Sequence, residues 1–89
     1  MPDLRINCWN SYKDKRDGWW SVIIREYVQS RNKRTGRPFT KFIGYVDVPL
    51  PANEVFFPTR EAALQAAQAK RDEVIAARYK FAIKPEVNQ

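Results

Sequence analysis

Trp19-Trp20-Ser21-Val22-Ile23-Ile24-Arg25-Glu26-Tyr27-Val28-Gln29 is the stretch from which the fold can be read. It is dense in aromatic and β-branched residues, which pack well on a pleated surface and lose little by being extended. Read with a period of two, Trp20, Val22, Ile24, Glu26 and Val28 fall on one face, and Trp19, Ser21, Ile23, Arg25, Tyr27 and Gln29 on the other. The first face is the more aliphatic and is expected to meet the core, leaving the second, mixed aromatic, polar and basic, on the outside.

On the N-terminal side, Leu4 to Tyr12 alternates in the same way, with Leu4, Ile6 and Cys8 against Arg5, Asn7 and Trp9. The intervening Lys13-Asp14-Lys15-Arg16-Asp17-Gly18 has turn composition, Asp-Gly favouring a hairpin. On the C-terminal side, Ser30 to Pro38 is a basic, turn-rich connection into a third strand, Phe39 to Val48. There Phe42, Val46 and Val48 are expected on the core face, against Lys41, Ile43, Tyr45 and Asp47. Gly44 leaves a gap on the core face that suggests close approach of a helix.

Pro49-Leu50-Pro51 ends the strand, because proline cannot donate to a central ladder. In the 49–58 link, Val55-Phe56-Phe57 reads as either a short added strand or an apolar flap. Thr59 is a good N-cap, and an alanine-rich helix is predicted from Arg60 to about Ala82, stopped by Pro85. Ala63, Leu64, Ala67, Val74 and Ile75 form its apolar stripe, while Glu61, Gln65, Gln68, Asp72 and Glu73 largely occupy other faces. The expected fold class is α+β: a three-stranded antiparallel sheet packed on one C-terminal helix, β-β-β-α. It forms a single domain with sheet 4–48, proline-rich link 49–58, helix 59–82 and tail 83–89.

With 89 residues and 44% hydrophobic content, the chain supports one thin core and no deep cavity. It has no histidine, which removes the usual general base near neutral pH and the commonest metal ligand. Its one cysteine, Cys8, lies on an apolar strand face and reads as an inert thiol. Glycine only at positions 18, 36 and 44 rules out phosphate-cradling glycine loops, and the carboxylates are scattered. These observations point away from an enzyme, a cofactor, a metal or a small-molecule substrate. A lone cysteine, the lack of a long apolar run and a start, Met1-Pro2-Asp3-Leu4, without signal-peptide order point to a soluble cytoplasmic protein with no membrane partner.

The net charge is +6 and is unevenly placed. Residues 1–45 hold ten basic side chains against four acids, and residues 46–89 hold six of each, so the whole excess lies in the first half. No acid interrupts Ser30 to Tyr45, where Arg31, Lys33, Arg34, Arg37 and Lys41 fall. Basic groups can neutralise phosphates, tryptophan and tyrosine can pack on sugars or bases, and arginine can donate to a guanine edge. The candidate nucleic-acid-binding residues are Arg5, Lys15, Arg16, Trp19, Arg25, Tyr27, Arg31, Lys33, Arg34, Arg37 and Lys41. The simpler reading is that the charges solubilise hairpin tips and the aromatics form cross-strand pairs.

Asp17 to Glu26, then Lys41-Phe42-Ile43-Gly44, then Phe57-Pro58-Thr59-Arg60-Glu61-Ala62-Ala63 together resemble the three-strand-plus-helix DNA-binding domains. These include the plant ethylene-response-factor domain and the N-terminal arm-binding domain of phage-type tyrosine integrases. The resemblance covers roughly residues 17–78, and the 49–58 link and long 30–38 loop are additions to its pattern. It implies a sheet inserted into the major groove, with Trp19, Arg25 and Lys41 facing DNA and Phe42, Gly44, Phe57 and Ala63 structural. The expected function is therefore non-enzymatic nucleic-acid binding, with duplex DNA favoured. A small protein-interaction module for an acidic surface, such as a phage-type inhibitor or adaptor, is the alternative. Exposed aromatics also suit single strands or structured RNA.

Overall fold

The computed structural model describes residues 3–83, with side chains as far as residue 78. Three strands, β1 (Asp3–Asn10), β2 (Trp20–Arg31) and β3 (Pro38–Val46), precede one helix, α1 (Arg60–Ile83). The strands form an antiparallel sheet in the order β1-β2-β3, the expected β-β-β-α arrangement. The Pro85 stop and most of the tail lie outside the described residues. Among the described residues no helix is long and apolar enough to cross a membrane.

In β1 and β2 the alternation holds. Leu4 pairs with Glu26, Ile6 with Ile24 and Cys8 with Val22, all on the helix side, while Arg5 pairs with Arg25 on the outer face. Thr59 caps α1, its Oγ1 accepting from the Ala62 N–H at 3.1 Å. Leu4, Ile24, Phe57, Ala63 and Ala67 form the buried core. Ala63 and Ala67 are fully buried, so the helix lies close against the sheet. It packs on β1 and β2 and does not reach β3. A helix about 10 Å wide covers roughly two strands spaced about 4.8 Å apart, and the third overhangs.

Two helix arginines tie α1 to the sheet. Arg71 Nε donates to the Leu4 carbonyl at 2.9 Å, and Arg78 binds both oxygens of Glu26, Nη2 reaching Oε1 at 2.9 Å. The Arg78 guanidinium holds the Glu26 carboxyl below its ordinary range. Cys8 is half-buried, and burial pushes its thiol up.

The link closes the near end of the sheet. Phe57 forms a single antiparallel bridge with Trp20, and Gly18 donates to the Pro58 carbonyl at 2.6 Å. The 55–57 segment is thus a one-residue extension beside β2 with a buried phenylalanine, rather than a full fourth strand.

The third strand differs from the alternation expected of it. Glu26 pairs with Gly44 but Tyr27 pairs with Phe42, so Ile43 is an extra residue, a β-bulge. The bulge reverses the parity of everything before it. Phe42 stands beside Tyr27 on the outer face, and Lys41, opposite Val28, moves to the helix-side face. A Cβ added at Gly44 would meet nothing within 4 Å, so this glycine accompanies the bulge and makes no room for a helix.

Candidate nucleic-acid interface

The outer face of the sheet is built row by row across the strands. Trp9 lies opposite Ser21, then Asn7 opposite Ile23. The third row is Arg5, Arg25 and Tyr45, and the fourth Asp3, Tyr27 and Phe42. Beyond these, Gln29 Nε2 donates to Thr40 Oγ1 at 3.2 Å, and Arg31 pairs with Pro38.

Arg5 is held in place. Its guanidinium makes a two-point contact with Asp3 at 3.1 and 2.9 Å and lies 4.3 Å from the centre of the Tyr27 ring. The hydrogen bonds with Arg5 hold the Asp3 carboxyl below its ordinary range, and Asp3 raises Arg5 in return. Arg25 is exposed and makes no ion pair among the described residues. It borders a shallow hollow of about 200 Å³ whose other walls are Tyr27, Phe42 and Tyr45. The rings meet edge to face, Tyr27 to Phe42 at 5.7 Å and Phe42 to Tyr45 at 5.0 Å.

At the far end of β2 the basic connection is an ordered turn. Asn32 Oδ1 accepts from the Arg34 and Thr35 N–H groups at 2.8 and 3.1 Å, and the Asn32 carbonyl accepts from Gly36 N–H at 2.7 Å. Gly36 has a φ of 76°, which disfavours a side chain there. Arg31 donates to the Gly36 carbonyl at 2.8 Å, so it braces the turn. Lys33, Arg34 and Arg37 are left exposed, with no ion pair among the described residues.

The remaining candidates lie elsewhere. Trp19 sits at the opposite end, packed at a tilt between Tyr12 at 5.1 Å and Phe56 at 5.2 Å. Arg16 lies 4.6 Å above the Tyr12 ring, and Lys15 occupies the first hairpin with a φ of 56°. That hairpin is separated from the 32–37 turn by the 12-residue β2, a distance of roughly 35–40 Å. Lys41 is on the reverse face. The structure thus gathers Arg5, Arg25 and Tyr27 on one face, with Arg31, Lys33, Arg34 and Arg37 at its end. It leaves Lys15, Arg16, Trp19 and Lys41 apart. Phe42 is the addition that strict alternation missed, and Gly44 was its one sequence signal, because an interior strand glycine often marks a bulge.

No family model, curated protein or solved structure matches the chain. Among the described residues no three acidic, cysteine or histidine side chains converge in a way that would hold a metal ion.

Proposed function

We propose that the protein is a non-enzymatic nucleic-acid-binding module that engages duplex DNA through the outer sheet face and the 32–37 turn. The observation that carries this reading is the set of four exposed cations, Arg25, Lys33, Arg34 and Arg37, left without an ion pair among the described residues beside an uncovered sheet face. Three strands span about 10 Å between outer axes, which suits a major groove about 12 Å wide. The turn cations would then grip phosphates while Arg25 faces base edges, with Arg5 fixed by Asp3 and Tyr27 as a rigid neighbour. The likeness to three-strand-plus-helix DNA-binding domains points the same way, although Lys41 does not share a face with Arg25.

The test is binding of a labelled mixed-sequence duplex by the native chain and by a Lys33→Ala, Arg34→Ala, Arg37→Ala variant. The variant is expected to bind at least about 30-fold more weakly at low salt, with the loss shared across sequences. Equal affinity of the two proteins would reject the reading.

A different observation favours a second reading. Phe39, Phe42, Ile43 and Tyr45 are each 44–59% exposed along the overhanging β3. Such apolar exposure exceeds what phosphate contact needs and suits an acidic protein surface with an apolar centre. A complex that survives nuclease treatment and dissociates on Tyr45→Ala would support it.

A further inference from the structure

The hollow at the centre of the outer face has properties that phosphate binding does not require. Phe42 and Tyr45 are 44% and 59% exposed and meet edge to face, while the Tyr27 ring beside Phe42 carries the Arg5 guanidinium. Arg25 supplies the remaining wall. Among the described residues no carboxylate lines the hollow or pairs with Arg25: Asp3 is engaged by Arg5, and Glu26 lies on the helix side bound to Arg78. An aromatic hollow with a guanidinium and no acid disfavours a cationic occupant. It suits a flat group with hydrogen-bond acceptors on its edge.

Resting on the nucleic-acid reading above, we infer that this hollow takes a single unstacked nucleobase. The protein therefore prefers duplex DNA carrying an extrahelical base over continuous duplex. Tyr27 and Arg31 are four residues apart on β2, about 13 Å, so a strand whose phosphates lie on the turn runs past the hollow. There a base can stack on the Tyr45 ring while Arg25 donates to its carbonyl or ring nitrogen. In continuous duplex the base must first be unpaired and unstacked, whereas an extrahelical base is already free.

The experiment compares three duplexes of otherwise identical sequence: continuous, with one additional adenine, and with one additional abasic nucleotide. Anisotropy titration of the whole chain is expected to give on the order of ten-fold tighter binding to the adenine bulge, with the abasic bulge resembling continuous duplex. With 2-aminopurine in place of the extra adenine, binding quenches its fluorescence. Tyr45→Ala removes the preference, and Tyr45→Phe, which keeps the ring, retains it. The Lys33, Arg34, Arg37 triple variant weakens all three duplexes and keeps their ratio. Equal binding of the adenine and abasic bulges, or a preference that survives Tyr45→Ala, would overturn the inference. Binding of the continuous duplex with no preference overturns this inference alone. Failure to bind any of the three rejects the nucleic-acid reading itself.

Discussion

Arg25 and Lys41 carry the same charge on opposite faces of the sheet, and their expected effects differ accordingly. Arg25→Ala is expected to weaken duplex binding by about 1–2 kcal/mol, roughly ten-fold, whereas Lys41→Ala changes it by no more than about two-fold. Anisotropy titration of both variants checks the pair. Glu26 gives a residue-level test of stability. Its hydrogen bonds with Arg78 lower its folded-state pKa, so the folded state takes up a proton less readily than the unfolded chain. Its contribution is therefore complete above the unfolded value, near ~4.3, and is lost as pH falls through the depressed folded value. With the Arg78 side chain 44% exposed and open to solvent screening, the contribution is only about 1 kcal/mol. Thermal unfolding of Glu26→Gln is expected to be less stable than the native chain by about that amount near neutral pH, with the difference vanishing in acid.

At the scale of elements, what was local in the sequence was legible. The turn composition and unbroken positive charge of Ser30–Pro38 marked the basic tip, and Thr59 marked the start of the helix. Which face a β3 residue occupies was not legible, because alternation assigns faces only while the pleat is unbroken. One extra residue at Ile43 turns Phe42 outward and Lys41 inward, and nothing in the residue types forces it. Arg71 and Arg78 followed the seven-residue spacing of Leu64, which places them on the sheet-facing side despite their charge. Their long stems can lie against the sheet while their heads reach the Leu4 carbonyl and Glu26. Trp19 illustrates a role that composition could not assign. Wedged between Tyr12 and Phe56, it joins the first hairpin to the link. Trp19→Ala is expected to lower stability by about 2 kcal/mol while changing DNA affinity of the folded protein by less than about three-fold. Chemical denaturation alongside titration at low temperature separates the two effects. Ala67→Leu, which inserts bulk where the helix meets the sheet with no exposed surface, is expected to destabilise by about 1–3 kcal/mol.

For the whole molecule, the sheet-and-helix order determines where the excess charge is displayed. One helix covers two strands, its Arg78 pairs with Glu26 on the covered face, and the opposite face carries Arg25, with a turn of exposed cations at its end. Without histidine, this display changes little between about pH 6 and pH 8, so electrostatic binding should be governed by salt. The most direct test is the affinity of the native chain for a mixed-sequence duplex measured from about 50 to 200 mM salt. Three phosphate contacts, from Lys33, Arg34 and Arg37, would give a log–log slope of about −2.7, a loss of roughly 40-fold over that range. An affinity that stays constant across the same range would contradict a phosphate-gripping basic face.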